Sequence, residues 1–325
     1  MDLKFKISKI ANFFFFIDNL SEWNAYCRKK YNDEWIKRYG ELTSTENTAL
    51  KNYRVIMKKY EKNGTTKKFR AYFYQNNSDN IKIPFKKISN LFNKKETKII
   101  INSFNVLQPR FEKMWGEQIN LLEYNEKLIT SSYKKVYEKI NLAYSKLSDF
   151  YGDKSIKKYL CYVFLIISPN RGGKSISRNI ISIETEKLDP KDKYRFSRLW
   201  FSVMHELTHS RFENKKYKNW LKRFVENKII PQSELMKKRN PREVLREVIT
   251  DLTKIALYHL LNKEGKIKIE NDKLPQSLKD ITDLDSMERI IRKELRSTME
   301  GYLLSKRKID KEFLEKCWIE IIYVK

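Results

Sequence analysis

Apolar residues recur at helical spacing along most of this chain, and the period changes only in a central stretch. From Phe111 to Phe150 they fall three and four apart with few breakers, which predicts one long helix or two in series. "YLCYVFLIIS", Tyr159 to Ser168, is a continuous apolar run of strand length. "NIISIET", Asn179 to Thr185, alternates, so both predict strands. Between them "PNRGGK" reads as a turn, where Gly172 and Gly173 permit unusual backbone angles. Two helices follow, each announced by an Asx cap with proline in the first turn: Asp189-Pro190 predicts a helix over 190–213 and Asn240-Pro241 one over 241–262. Residues 274–325 are mostly helical in pattern and close on the strand-like "WIEIIYV".

The first hundred residues are less regular. Short β-like runs, "RAYFY" at Arg70 to Tyr74 and "IKIPF" at Ile81 to Phe85, alternate with aromatic helical stretches, and the start "MDLKFKISKIANFFFFIDNL" suggests an early strand. No internal repeat or low-complexity linker marks a border. The best candidate lies near Asn105, which divides the chain into a mixed α/β region 1–105, read as a covering layer in preference to a substrate-selecting wall, and a domain 106–325. The fold class expected is α+β and helix-rich, with a small mixed sheet ahead of the helix at 190–213.

With 325 residues, 41% hydrophobic and 13% aromatic, the chain has enough apolar material for a real core despite its charge. Sixty-eight basic against 41 acidic side chains leave a formal +27, which favours anionic partners such as nucleic acid or an acidic surface. The lysines are spread over the whole chain and no nucleic-acid reader motif accompanies them, so charge alone does not define a function. Cys27, Cys161 and Cys317 are odd in number, far apart and without CxxC spacing; neither a disulfide framework nor a thiolate metal site is indicated, and a reducing, cytoplasmic setting fits. The longest apolar runs are far short of the roughly 20 residues of a membrane span. A soluble protein is expected.

The chemistry concentrates in "LWFSVMHELTHSRFE", Leu199 to Glu213, which holds two of the chain's three histidines. Wound as a helix, Phe196, Leu199, Trp200, Val203, Met204 and Leu207 form an apolar stripe, and His205 and His209 lie nearly opposite it. Histidines four apart present their imidazoles side by side, the arrangement by which HExxH supplies the first two protein ligands of a zinc ion. Glu206 is then placed to act as general base. The other reading of this pattern is a solvated polar helix face.

A hydrolytic zinc site needs a third protein ligand and leaves a position open for water. No histidine follows closely, and "NPREVLREVITDLTKIALYHLL" offers Glu243, Glu247 and Asp251 at four-residue steps, off the stripe of Val244, Val248, Leu252, Ile255 and Ala256. Glu243 is explained as a capping-box residue three after Asn240. Glu247, one turn deeper, is the candidate ligand, and Asp251 the carboxylate that could hydrogen-bond a ligating histidine's spare nitrogen. Pairing of these acids with nearby lysines is the competing explanation.

"HELTH" followed by "REVITD" resembles the gluzincin metallopeptidases, the thermolysin-like zincins, whose pattern is HExxH and then ExxxD on a later helix. The resemblance covers about Tyr159 to Leu261. It implies a zincin-like domain, one Zn2+ per chain held by His205, His209 and Glu247, Glu206 as catalytic base, and Asp251 supporting a histidine. It also implies a substrate-binding edge strand at Ile181, Ser182 and Ile183. The 37 residues between His209 and Glu247 exceed the spacing in thermolysin and include the basic "NKKYKNWLKRF". The activity implied is hydrolysis of peptide bonds in an intracellular protein or peptide. The alternative is a basic protein that binds nucleic acid or an acidic partner on a zincin fold with little turnover. No oxyanion donor stands out: His259 falls on an apolar stripe, Tyr258 lies about 16 Å along the helix from Glu247, and Tyr302 has no geometry behind it. "PNRGGKSIS" lacks phosphate-loop spacing and reads better as a hairpin turn.

Overall fold

Residues 2–24, 27, 29–61, 64–75, 79–152, 160–168, 172–189, 191, 193–212, 215–230, 240–261 and 284–323 are described by the computed structural model. They form a helix-rich α+β protein with a four-stranded sheet. The strands are β1 (Asp2–Ile7), β2 (Leu160–Ile167), β3 (Gly173–Ser177) and β4 (Ile180–Thr185), and the helices α1 (Lys9–Leu20), α2 (Lys29–Tyr39), α3 (Ser44–Lys59), α4 (Thr65–Tyr74), α5 (Lys82–Ile88), α6 (Lys94–Tyr151), α7 (Lys193–Phe212), α8 (Lys215–Glu226), α9 (Pro241–Leu261), α10 (Leu284–Leu304) and α11 (Lys311–Tyr323). None of the described helices is long and apolar enough to cross a membrane.

The chain divides into two compact units, one of residues 3–132 with 161–199, the other of residues 1–2, 133–160 and 200–325. The border expected near Asn105 therefore falls inside a unit, and inside α6. Pro109 on this helix removes one i−4 hydrogen bond, yet the helix continues through it.

In the first unit the strands run in the order β1-β2-β4-β3, with β2 and β4 parallel and β3 and β4 antiparallel, so the sheet is mixed as expected. Strand β4 is buried along its whole length and has a hydrogen-bonded neighbour on each side. That corrects the expectation for Ile181, Ser182 and Ile183: they sit on an inner strand, and their backbone has no free edge to offer a substrate. The edges are β1 and β3.

The early strand ends at Ile7, and the four phenylalanines belong to α1, which Ser8 caps by accepting from the Ala11 backbone N–H. Asn12 then joins helix to sheet. Its amide donates to the carbonyls of Ser8 and Leu165, and its oxygen accepts from Ile167 N–H at 2.8 Å, so one side chain stands in for a strand partner of β2. Phe13, Phe14, Phe69, Phe73, Phe104 and Phe111 pack ring on ring as the core of this unit. "RAYFY" and "IKIPF" are helical, not β. Phe69 and Phe73, four apart and both fully buried, are the stripe of α4, which begins before the five-residue window and so escapes a reading of alternation.

In the second unit α9 packs chiefly on α10, and also on α8 and α11. The closing "WIEIIYV" corrects in the same way. Phe313, Leu314, Cys317, Trp318 and Ile321 are buried at helical spacing, and the segment is the end of α11.

Candidate metal centre

The part of α7 from Trp200 onward and the whole of α9 belong to the second unit, and the local sequence explains which face each turns inward. Asn240 opens α9 as expected: its side-chain oxygen accepts from the Arg242 backbone N–H at 3.0 Å, and its carbonyl accepts from Glu243 and Val244. Asp189 makes the corresponding Asx contact with Lys191 N–H at 2.9 Å ahead of α7. Val244, Leu245, Val248, Ile249, Leu252, Ala256 and Leu257 are buried on α9, as are Leu199, Val203, Met204 and Leu207 on α7.

Both helices also bury their polar sides. On α7, Glu206, Thr208, His209 and Ser210 are buried, and on α9 Thr250, Asp251 and Thr253. A solvated polar face would leave these groups in water; here they are withdrawn from it, where polar groups require partners.

One of them, His209, converges with the half-buried His205 and Glu247. His205 Nε2 lies 2.9 Å from His209 Nε2; Glu247 Oε2 lies 2.9 Å from His209 Nε2 and 3.6 Å from His205 Nε2. A tetrahedral ion with nitrogen and oxygen donors at about 2.0–2.1 Å holds those donors about 3.3 Å apart, so the triangle matches one face of such a shell. The donor set, two imidazoles and one carboxylate, is one that could hold a divalent metal ion. Among the described residues this is the one cluster of histidine, cysteine and acidic side chains with such spacing.

The protonation states suit ligation as well. Burial favours the neutral imidazole at His209, the neighbouring Glu247 carboxylate only partly offsets it, and the pKa falls to about 4. Burial works against the charge on Glu247, but His209, hydrogen bonds from both histidines and the Arg246 guanidinium outweigh it and hold the carboxyl well below the usual range. At neutral pH the cluster therefore holds a neutral His209 imidazole beside an ionised Glu247 carboxylate.

Glu243 is set apart from the triangle by its pairing with Arg246 at 2.7 Å and the more distant Arg242 at 3.9 Å. Arg246 also reaches Glu247 Oε1 at 3.2 Å, and so fixes the carboxylate oxygen that does not face the histidines. Asp251 is buried and bonded to Lys254 one turn on. The group beside the spare nitrogen of His209 is the Thr250 hydroxyl, 3.4 Å from Nδ1. Sequence reasoning missed Arg246 and Thr250, although Thr250 stands at i+3 from Glu247 and so shares its helix face.

The remaining candidates lie elsewhere. Tyr302 donates its hydroxyl to Asp310 at 2.9 Å and packs its ring against Phe150, Phe313 and the Arg307 guanidinium; burial and the Asp310 carboxylate, against the opposing charge of Arg307, raise its pKa to about 12. The side chains of Tyr258 and His259, and the first half of the "PNRGGK" turn, lie outside the described residues, while Gly173 and Lys174 open β3. No protein-family model, curated protein or solved structure matches this chain.

Proposed function

We propose that this protein is a zinc-dependent metallopeptidase of the gluzincin type, acting on a protein or peptide substrate. The observation that carries the reading is the convergence of His205 Nε2, His209 Nε2 and Glu247 Oε2 from two buried helices, with the histidine at its centre held neutral and the carboxylate held ionised.

His205, His209 and Glu247 would hold the ion, one Zn2+ per chain. When bound it supplies a Lewis acid that polarises a scissile carbonyl and eases ionisation of water. Arg246 steadies Glu247 from behind, and Thr250 orients the His209 ring so that Nε2 points at the other two donors. The carboxylate of Glu206, between the histidines on α7, takes the proton of the attacking water and passes it to the departing amide nitrogen.

The test is metal content together with turnover. Purified protein should carry about one zinc per chain by mass spectrometry, and should cleave peptides from a proteome-derived mixture. Glu206→Gln should keep the zinc and lose cleavage by on the order of 10²-fold or more. A protein that cannot be loaded with zinc, and that cuts nothing, overturns the proposal and returns attention to the +27 charge and an anionic binding partner.

A further inference from the structure

Helix α8 follows α7 after two residues and has a sharply divided surface. Tyr217, Trp220, Leu221, Phe224 and Val225 recur at helical spacing on one side. Leu221, Phe224 and Val225 are buried, Phe224 lies against Trp318, and Tyr217 lies against Tyr151, which in turn interacts with Thr253 of α9. Thr253 is six residues beyond Glu247, about 9 Å along the helix. The apolar side of α8 thus packs beside the helix that carries the third candidate ligand.

The other side of α8 presents Lys218, Lys222 and Arg223 within about 8 Å along the axis. Lys222 and Arg223 are exposed, and Lys222 meets Glu226 only through a solvent-exposed pair at 3.5 Å, a kind of contact that contributes little and is screened by salt. Five of the twelve residues of α8 are basic against one acidic. The aromatic residues of α8 are on the packed side, so its basic face has no platform on which nucleobases could stack; it offers charge alone, from Lys218 and Lys222 one turn apart and Arg223 about 100° round the helix from Lys222.

Resting on the metallopeptidase reading, we infer that the basic face of α8 selects the substrate: it binds an acidic segment of the polypeptide to be cleaved. Carboxylates of an acidic chain meet the exposed Lys222 and Arg223, with the half-buried Lys218 adding positive charge at the edge of the face, and the same face disfavours basic chains by like-charge repulsion.

Three full-length proteins decide this: the wild type, Lys218→Glu/Lys222→Glu/Arg223→Glu, and a control, Lys37→Glu/Lys51→Glu/Lys58→Glu, which reverses exposed lysines of α2 and α3. Each triple lowers the formal net charge from +27 to +21. Binding of a short labelled poly-glutamate peptide is followed by fluorescence anisotropy near physiological ionic strength. A single-stranded oligonucleotide of equal charge and a poly-glutamine peptide serve as comparisons. The α8 triple should weaken poly-glutamate binding by at least about tenfold and the control by less than about twofold. A Gln version of the α8 triple should reproduce most of the loss with the same far-ultraviolet dichroism as the wild type. Equal weakening by both triples reduces the effect to net charge and overturns the inference. Tighter binding of the oligonucleotide, lost with the α8 triple, assigns the face to nucleic acid and overturns it also. Zinc content measured on the same wild-type sample separates the two failures: absence of zinc sinks the peptidase reading, whereas zinc without acidic preference sinks only the role of α8.

Discussion

Removing the Glu247 carboxylate should abolish the linkage between zinc and stability, while removing Glu243, one helical turn away, should leave it intact. Glu247 contributes the only oxygen and the only negative charge of the triangle, with Oε2 at 2.9 Å from His209 Nε2. Glu243 is turned to Arg246 at 2.7 Å. Loss of a group that merely supports a ligand weakens metal binding about 10–100-fold, so loss of a ligand should cost at least the upper end of that range. At a free zinc concentration 100 times the wild-type Kd, binding stabilises the folded protein by about 2.7 kcal/mol; a hundredfold weaker site at that concentration contributes only about 0.4 kcal/mol. For a folding unit of roughly 150 residues this corresponds to a zinc-induced rise in Tm of about 5–10 °C in the wild type and about 1 °C in Glu247→Ala. Thermal melts with and without buffered zinc measure both. A wild-type shift retained in Glu247→Ala, or lost in Glu243→Ala, would refute the assignment of the third ligand.

Two further outcomes follow from neighbouring contacts and from the first unit. Thr250→Val should weaken zinc binding by about tenfold in isothermal titration while Thr250→Ser restores it, because the hydroxyl and not the volume orients His209; equal affinities for Thr and Val would remove that role. In the first unit Glu46 caps α3 and receives two hydrogen bonds from Arg110, which together outweigh burial and lower its pKa. A depressed folded pKa means its stabilisation is present above the unfolded value near pH 4.3 and is lost as pH falls through the folded one. Glu46→Gln should therefore cost on the order of 1 kcal/mol at pH 6 and flatten the decline of stability between about pH 5 and 3 in urea melts. An unchanged acid slope would show that the pair is not coupled to folding.

The candidate site was legible in the sequence to the extent that helices impose periodicity. In "HELTH" and "REVITD" the four-residue steps place His205, His209 and Glu247 on helix faces, and two Asx-Pro openings locate those helices to within a few residues. Nothing in the spacing tells how one helix is rotated against another, so the sequence could name Glu247 but not place its oxygen against His209. Nor could it find that Arg246 and Thr250 brace the pair. Strand order is equally hidden: "NIISIET" is plainly β, yet whether β4 lies at an edge depends on where β3 turns back, a long-range matter. The short aromatic windows misled because five residues such as "RAYFY" satisfy either period, and only the flanking Thr66 and Phe69 extend the helical one.

The path of the chain through its two units sets an order of completion. Residues 3–132 and 161–199 make up one unit in full, and the other waits for the segment beyond Trp200. During synthesis the sheet-bearing unit can close first, while residues 133–160 have already emerged without their later partners. His205 and His209 emerge before Glu247, and α9 acquires its packing partners α10 and α11 only after it has itself been made. A nascent chain would thus carry a folded body well before His205, His209 and Glu247 could be brought together, because α10 and α11, on which α9 packs, follow it in the sequence.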